Sequence, residues 1–455
     1  MNKFYVTNSI PYVNAKPHVG LALEYTQSDT IYRYHKLLGE ECLLLCGADE
    51  NALKNVQAAE AAGEDVQSFV DKNAKFFQDL AEKLYIHFDV FQKGSDRKHH
   101  LASQKLWQLC NKSGDIYKKS YRGLYCVGCE QFYTKEELNE SGECFEHPGK
   151  KLDEVSEENY FFKLSKYQDK LLQLIASDEY QIIPEFRKNE MLIFIKSSLQ
   201  DFSISRSNER AKNWGVQVPG DPTQRIYVWF DALNIYQSGI GFGSDEEKYN
   251  KWWPANLHVI GKGIIRFHAI YWPAILLSAG LKLPKKLFVH EYFTVNGQKI
   301  SKTLGNVIDP TPLTSQFGAD GLRYYCLAKV SPFQDGDFTI DKLKEAYNSD
   351  LANGLGNLVS RVAKLCEKIN FEAPKLEEKF DPEVKQLLEE YKFNEALAWI
   401  WEIISIADSR VNEEKPWEKE GLDLKEDLDE LVRLIQRIAF NLQPFRLFFP
   451  GYNDI

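Results

Sequence analysis

The amino-acid sequence predicts an α/β protein with a doubly wound parallel sheet, split by an inserted domain and followed by an all-α helical bundle. Three observations support this prediction. The chain opens with a β-α-β pattern, residues 116–215 are richer in charge and turns and hold paired cysteines, and the chain from 347 onward has only helical periodicity. Together these patterns indicate three kinds of packing unit in one chain.

The first elements set the sheet type. Residues 3–9 and 41–47 predict buried strands, and apolar residues recur at helical spacing from Pro17 to Leu38 between them, with Gly39 suited to the helix end. Two strands joined through a helix lie parallel. Further strands are predicted at 226–230, 257–261 and 287–293, a buried helix at 264–283, and helices of the final bundle at 347–367, 382–411 and 424–442.

Domain boundaries follow from these shifts in pattern. We predict a nucleotide-binding domain in two halves, 1–115 and 218–293, separated by an insertion at 116–217. A lysine loop and its connection occupy 294–346, and the helical bundle 347–455.

Composition indicates a globular protein of the cytoplasm rather than an exported one. The chain has 455 residues, of which 44% are apolar and 27% charged, as in globular proteins. The start of the chain has no export-signal pattern, and eight cysteines without such a signal favour a reducing cytoplasm. The net charge of −10 counts mildly against a nucleic-acid partner, although a local basic surface is enough to bind one.

Two loops contain residues suited to phosphate. In IPYVNAKPHVG (10–20), Pro17 suits a first helical turn, His18 stands at the helix N-terminus, and Gly20 admits a close ligand. In TVNGQKISKTLGN (294–306), Lys299 and Lys302 lie between two glycines after a strand. A helix cap and a solvated lysine pair are the ordinary interpretations of each loop alone. Because both loops follow strands of one parallel sheet, we expect them to meet at its carboxyl edge.

The cysteine spacing predicts a metal site in the insertion. Cys126-Val-Gly-Cys129 is followed by Cys144-Phe-Glu-His147, which supplies three thiolates and one imidazole. Four protein ligands close a tetrahedral zinc site, so we expect one structural Zn²⁺.

These motifs resemble those of a known family. PHVG is similar to the His-Ile-Gly-His signature of class I aminoacyl-tRNA synthetases, and KISKT to their Lys-Met-Ser-Lys-Ser loop. The blocks YVWFDALNIY (227–236), GKGIIRFHAIYWPA (261–274) and KPW (415–417) resemble the methionyl-tRNA synthetase family over nearly the whole chain. The resemblance implies a Rossmann-type catalytic domain, a zinc-binding connective insertion, a stem-contact region at 294–346 and an anticodon-binding bundle.

The resemblance also assigns roles to residues. Catalysis falls to His18, Lys299 and Lys302, and ATP binding to these three with Pro17, Gly20, Ser301 and Arg206. Methionine binding falls to Asp49, which would hold the substrate ammonium, and to Ile10, Tyr12, Trp229, Ala232, Leu233, Tyr236, Ile264, His268 and Trp272. Anticodon reading falls to Asn357, Arg361 and Trp417.

The implied activity is that of a methionine–tRNA ligase. Methionine and ATP, with Mg²⁺ bound through ATP, would give methionyl-adenylate, and the methionyl group would then pass to the 3′ end of tRNA(Met). The substrate carboxylate is itself the nucleophile, so positioning and charge stabilisation carry the rate. Because the chain stops soon after its last helices, we expect a monomer.

Several positions depart from the family pattern. Leu21 replaces the second signature histidine, Gly263 stands where the family commonly has Asp, and ADENA (48–52) lacks the usual His-Gly. Ile300 and Thr303 are milder changes in the lysine loop. These departures leave open a catalytically weak paralogue that binds tRNA without efficient charging. A cysteine-specific relative is disfavoured because its zinc lies in the amino-acid site, whereas CxxC…CxxH lies here in the insertion.

Overall fold

The computed structural model describes residues 2–127, 131–133, 135, 138–144, 149–301, 304–369 and 371–447. The first part of the chain alternates strands and helices. Its elements are β1 (Lys3–Thr7), α1 (Val19–Leu37), β2 (Glu41–Ala48), α2 (Leu53–Ala62), α3 (Val66–Lys83), β3 (Val90–Lys93) and α4 (Arg97–Lys112).

The insertion is built mainly of antiparallel strands. Its elements are β4 (Ile116–Cys126), β5 (Gln131–Tyr133), β6 (Asp153–Phe162), α5 (Gln168–Ala176), β7 (Gln181–Ile183), α6 (Glu185–Lys196), β8 (Phe202–Ser203), β9 (Ser205–Ser207), β10 (Gln217–Val218) and β11 (Asp221–Ile226). Four of these strands form one sheet in the order β5-β4-β6-β8, and three form another in the order β10-β11-β9.

The chain then returns to the catalytic part. The elements are α7 (Val228–Ala232), α8 (Ile235–Ser238), α9 (Glu246–Trp252), β12 (Leu257–Gly261), α10 (Trp272–Ser278), β13 (Lys286–His290), β14 (Phe293–Val295), β15 (Gln298–Lys299), α11 (Pro310–Ala328) and β16 (Gly336–Asp337). Helix α11 is broken at Gly318, whose φ is 71°. The remaining helices are α12 (Ile340–Ala346), α13 (Asn357–Lys368), α14 (Pro382–Glu389), α15 (Phe393–Glu414) and α16 (Gly421–Leu442), with a π-helical segment at Tyr347–Gly356.

The central sheet is parallel, as predicted. Its order is β3-β2-β1-β12-β13-β7, and every neighbouring pair runs parallel. Side chains of a strand alternate between faces, so Phe4 and Val6 enter one apolar cluster and Tyr5 enters the other. Helices cover both faces, which makes the sheet doubly wound and confirms the predicted fold class.

One predicted strand is wrong. The run 226–230 is not a strand of the central sheet, because Ile226 ends β11, which pairs antiparallel with β9, and Val228 begins helix α7. A short apolar run has the same hydrophobicity in a buried strand and in a buried helical turn, so its periodicity does not separate them. The insertion also contributes to the central sheet, because its strand β7, at 181–183, pairs with β13.

Most other expectations agree with the structure. The strands at 3–9, 41–47 and 257–261 and the helix at 17–38 are present within two residues at each end. The run 287–293 divides into β13 and β14. The buried segment 264–283 is mostly helical, and the chain beyond 347 forms the predicted helices. Within the described part of the chain, no helix is both long and apolar enough to cross a membrane.

Candidate active site

The candidate site lies where the strand order reverses. From β1 the chain continues to β2 on one side, and after the insertion β12 pairs with β1 on the other side. Crevices at such a switch point, outside the carboxyl ends of the strands, hold ligands in open α/β sheets. The segments that follow β1, β2, β12 and β13 contain His18, Asp49, His268 and Lys299, respectively. Four further residues predicted to bind methionine follow β11, on or between α7 and α8: Trp229, Ala232, Leu233 and Tyr236.

His18 caps helix α1. Its Nδ1 accepts a hydrogen bond from the backbone N–H of Gly20 at 3.1 Å, so a neutral ring carries its hydrogen on Nε2. A Cβ on residue 20 would lie 2.8 Å from His18 Cε1, which explains the glycine. The prediction that Pro17 lies in the first turn is wrong, because the helix begins at Val19 and Pro17 precedes the cap. The helix N-terminus still favours an anion at this place.

The lysine loop begins as a tight hairpin. Strands β14 and β15 pair with Thr294 opposite Lys299, and Asn296 and Gly297 form the turn with φ of 52° and 72°. Asparagine followed by glycine suits a turn in which both central residues have positive φ.

A single asparagine then fixes the course of the loop. Asn306 Oδ1 accepts from the backbone N–H of Ser301 at 2.7 Å, and its Nδ2 donates to the carbonyl of Lys299 at 3.0 Å. Lys302 lies outside the described residues.

The first phosphate-type loop meets the segment that directly follows the lysine loop. The backbone N–H of Val19 donates to the carbonyl of Ile308 at 3.0 Å. A second link joins the elements that carry the loops. Glu24 of α1 accepts from Ser9, and its Oε2 lies 3.0 Å from His290 Nε2 at the end of β13. Glu24 and His290 were missed in the sequence because their partners are distant along the chain.

Most of the residues predicted to bind the substrate methionine lie in or against one apolar cluster that is rich in aromatic rings. The rings of Tyr12 and Trp229 meet edge to face at 6.2 Å, and Tyr12 pairs with Asp49 in an isolated parallel bridge. Asp49 is buried at the end of β2. Phe267, which the sequence analysis did not single out, stacks on Trp229 at 3.6 Å with an interplanar angle of 3°. The signal that could have identified Phe267 in the sequence is its position, one residue before the predicted His268.

The remaining predicted pocket residues lie around the same apolar cluster. Ala232, Leu233 and Trp272 are buried, and Ile10 and Ile264 pack against the cluster while partly exposed. The assignment of these residues to methionine stays a prediction.

His268 is held neutral. Burial lowers its pKa to about 4, although the Ile264 carbonyl and Glu24 oppose that shift. Its Nδ1 lies 3.0 Å from the Ile264 carbonyl and must donate there, so Nε2 accepts from the hydroxyl of Tyr236 at 2.8 Å. A neutral imidazole in this tautomer adds no charge to an apolar pocket.

A buried carboxylate, Asp231, lies on the same helix as Trp229 and is held by several polar contacts. Asp231 accepts from Asn51 Nδ2 at 2.6 Å and lies 2.9 Å from His99 Nε2. Burial alone would raise the pKa of Asp231, but His99, His100 and Ser103 hold it below its usual value. Asn51 also donates to the Gly94 carbonyl at 2.8 Å. The asparagine that replaces the family histidine therefore ties β2 to the helix carrying Trp229.

Arg206 lies away from the phosphate-type loops. Its guanidinium group is 4.2 Å from the ring centroid of Tyr227, and its Nη1 donates to Ser203 and to the Ser205 carbonyl. Among the described residues its contacts belong to the insertion and to Tyr227. Gly263 is exposed, and its backbone N–H donates to the Tyr292 hydroxyl at 2.7 Å.

Two of the four predicted zinc ligands lie side by side. Cys126 and Cys144 are buried, with their sulfurs 3.3 Å apart and not joined in a disulfide. Two thiolates on one tetrahedral zinc ion with Zn–S bonds of about 2.3 Å would lie about 3.8 Å apart, so the observed 3.3 Å is somewhat shorter than in a zinc-bound pair. Cys129 and His147 lie outside the described residues.

The three predicted anticodon residues share one surface of the bundle. Arg361 donates to Asp408 at 3.0 Å and to Asn412 at 2.7 Å, and its guanidinium group is 5.6 Å from the ring centroid of Trp417. Trp417 is 46% exposed. Asn357 is exposed one turn before Arg361 on α13. An exposed indole beside a guanidinium group can stack an unpaired base.

Comparison with known proteins agrees with this geometry. The family described as tRNA synthetases class I (M) matches residues 4–363. Methionine–tRNA ligase of Thermotoga maritima is 43% identical over 431 residues, 91% of this chain and 68% of that protein. The Rhizobium meliloti enzyme of the same name is 39% identical over 97% of this chain and 89% of its own length.

Solved structures give the same result. Mycobacterium tuberculosis methionyl-tRNA synthetase in complex with methionyl-adenylate has a TM-score of 0.91 and 37% identity, covering 98% of this chain and 91% of that one. Its apo form has a TM-score of 0.82 and 34% identity, covering 98% and 89%. The chain therefore belongs to the methionyl-tRNA synthetase family of class I tRNA synthetases.

Proposed function

We infer that the chain is a methionine–tRNA ligase, which activates methionine with ATP to methionyl-adenylate and then transfers the methionyl group to the 3′ end of tRNA(Met). The observation that carries this inference is the contact between Val19 and Ile308. It joins the N-terminus of the helix that His18 caps to the segment directly after the lysine loop, at the switch point of the sheet, where we expect a nucleotide polyphosphate to bind.

The residues of the two phosphate-type loops have proposed parts in activation. The methionine carboxylate attacks the α-phosphorus of ATP, so the protein needs to supply orientation and charge. His18 donates from Nε2 to a phosphate oxygen, and Lys299 with Lys302 stabilises the developing pyrophosphate. Pro17, Gly20 and Ser301 shape the backbone that faces ATP. The prediction that Arg206 binds ATP gains no support from its contacts in the insertion.

Mg²⁺ is proposed to enter with ATP. Glu24 is a carboxylate on the helix that follows the first phosphate-type loop, and it is already bonded to Ser9 and His290. This favours coordination of Mg²⁺ by the phosphate oxygens of ATP themselves. The ion would neutralise phosphate charge.

The aromatic cluster is proposed to hold methionine. Its thioether gains from contact with rings such as Trp229 and Tyr12. Asp49, buried at the strand end, is proposed to accept from the substrate ammonium. The neutral His268 keeps charge away from the apolar side chain.

We further propose that Cys126, Cys129, Cys144 and His147 hold one structural zinc ion. The adjacent buried sulfurs of Cys126 and Cys144 support this proposal. Asn357, Arg361 and Trp417 are proposed to read the anticodon. A cytoplasmic monomer remains our expectation, and light scattering on the purified chain tests the monomeric state.

One assay tests the central proposal. ATP–pyrophosphate exchange is measured with a panel of amino acids, followed by charging of tRNA(Met) with methionine. We expect exchange with methionine alone, and charging at a comparable rate. Exchange with no amino acid would contradict the ligase, and exchange without charging would instead indicate a weak paralogue.

A further inference from the structure

A group of ion-paired side chains lies at the carboxyl edge of the central sheet. Gly261, the last residue of β12, pairs in register with His290, the last residue of β13. Lys262 and Glu291 follow these two residues directly, and their charged atoms lie 2.7 Å apart. None of the proposed roles uses this pair or its further partners. We define the edge cluster as Arg187, Lys262, Glu291 and Asp335.

Glu291 is the centre of the edge cluster. Only 6% of its side chain is exposed, so water does little to solvate the carboxylate. Arg187, on α6 of the insertion, donates to Glu291 Oε1 through Nε at 2.9 Å and also through Nη2. Lys262 binds the other oxygen, Oε2. The carboxylate is therefore fixed between two cations, because loss of either would leave part of its buried charge uncompensated.

Lys262 extends the edge cluster to the segment before β16. Its Nζ lies 2.6 and 2.8 Å from the two carboxylate oxygens of Asp335. Asp335 Oδ1 also accepts from the backbone N–H of Tyr292 at 2.9 Å. The hydroxyl of Tyr292 accepts in turn from the backbone N–H of Gly263 at 2.7 Å. These contacts close a ring that starts at Lys262 and returns to the next residue of the chain.

The ring stands at the root of the lysine hairpin, the pair of strands β14 and β15 that begins the lysine loop. Tyr292 directly precedes β14, and its carbonyl accepts from the backbone N–H of Gly336 at 3.0 Å. Strand β14 pairs with β16 on one side and with β15, which carries Lys299, on the other. The direction in which the hairpin leaves the central sheet is therefore set where Lys262 and Asp335 hold Tyr292.

We propose that the edge cluster positions the lysine hairpin, so that the loop places Lys299 and Lys302 against the polyphosphate during activation of methionine. The proposal rests on the ligase function and on the role inferred above for the two lysines. Lys262 and Glu291 act only through the hairpin and touch no substrate, so they are positioning residues. Because Arg187 belongs to α6, the edge cluster also ties the insertion to the hairpin.

The test uses matched substitutions in the whole chain. Lys262→Met removes the cation and keeps an apolar stem, whereas Lys262→Arg keeps the charge. Glu291→Gln removes the central charge. Glu190→Gln is the matched control, because Glu190 also accepts from Arg187, at 2.6 Å, but is 49% exposed. Single-turnover formation of methionyl-adenylate gives a rate constant and an amplitude for each protein, and exchange gives the KM for methionine.

We expect Lys262→Met and Glu291→Gln to lower the rate constant of adenylate formation roughly 10- to 100-fold, because a displacement of about 1 Å can cost that much. The amplitude and the KM for methionine should stay at their wild-type values. Lys262→Arg should keep most of the rate, and Glu190→Gln all of it. A smaller amplitude at an unchanged rate constant would indicate only a loss of folded protein and would overturn the proposal.

A second comparison tests whether the edge cluster acts through the hairpin. Lys262→Met is added to a protein that already carries Lys299→Ala and Lys302→Ala. It should cause no further loss there, because the effects of residues that act as a unit are not additive. A further loss of the same size would overturn the positioning role, as would a wild-type rate constant in both Lys262→Met and Glu291→Gln.

The failures of the underlying proposals give different results. Absence of methionine activation in the wild-type protein would overturn the proposed ligase. Full activity of the protein that lacks both Lys299 and Lys302 would overturn the role of the lysine loop, and the positioning role with it. Loss of activity in that protein, with unchanged rates in Lys262→Met and Glu291→Gln, would overturn the edge cluster alone.

Discussion

Leu21 is where a single residue changes the expected chemistry of the site. It replaces the second signature histidine and is partly buried against two apolar clusters, one of which contains Val13 and Phe77. Ile300 of the lysine loop and Ile308, just after the loop, pack against the other cluster. Leu21 and these two isoleucines therefore border the same apolar cluster, and Leu21 does so at the position where the family signature has a histidine.

We predict that Leu21→His increases methionine-dependent exchange. A donor aimed at charge that develops in the transition state is worth roughly 2.7–4 kcal/mol by analogy with oxyanion-hole donors, so a gain of up to roughly 100- to 1,000-fold is expected. The lost apolar contact should lower the free energy of unfolding by about 1 kcal/mol. Exchange kinetics and urea unfolding measure the two effects.

Leu21→Ala is the matched control for that change. It removes the same packing without adding an imidazole, so it should lose stability and gain no activity. If Leu21→His exchanges no faster than Leu21→Ala, the phosphates are already fully supported by other groups.

Sequence patterns located residues of the candidate site better than they described the protonation states of those residues. His18, Gly20 and Lys299 were found because helix starts and turns leave local signals, and the structure places them accordingly. The neutral tautomer of His268 depends on burial and on Tyr236, far along the chain. Such states follow from packing, which a pattern of neighbouring residues does not contain.

The same limit holds for secondary-structure elements. Strands β1 and β12 were predictable because continuous apolar runs bounded by turns suit a sheet buried on both faces. The run at 226–230 has the same character but forms the end of β11 and the start of α7. Strand β7 has three residues and pairs only through tertiary structure, so its place in the central sheet left no signal.

The zinc proposal gives a prediction for the insertion. Cys126→Ser should reduce bound zinc from one equivalent per chain toward none, because a hydroxyl is a poor substitute for a thiolate in a structural site. Elemental analysis after gel filtration measures the metal, and thermal unfolding should show a lower midpoint.

Cys110→Ser provides the control for that experiment. Cys110 is also buried, but it lies on α4 and its sulfur contacts the Ile275 carbonyl. Its serine variant should keep the zinc. Equal zinc content in both variants, or no zinc in the wild type, would contradict the proposed metal site.

At the level of the whole molecule, buried contacts fasten the helical bundle to the catalytic part. Arg323 of α11 is fully buried and bonds to Asp29 of α1 at 2.7 Å, to the Leu84 carbonyl and to the Phe445 carbonyl. Phe288 of β13 stacks on Tyr391 at 4.8 Å. The strand that leads to the lysine loop therefore packs directly on the bundle that carries the proposed anticodon surface.

This arrangement makes recognition separable from activation. Trp417 is exposed beside Arg361 on the bundle, whereas the proposed methionine and ATP residues lie at the carboxyl edge of the central sheet. We predict that Trp417→Ala lowers kcat/KM for tRNA charging by roughly 5- to 150-fold, the value of one lost base stack, while exchange stays unchanged. Trp417→Phe keeps a ring and should recover much of the charging. If exchange and charging fall together, Trp417 supports the fold of the bundle and does not read the anticodon.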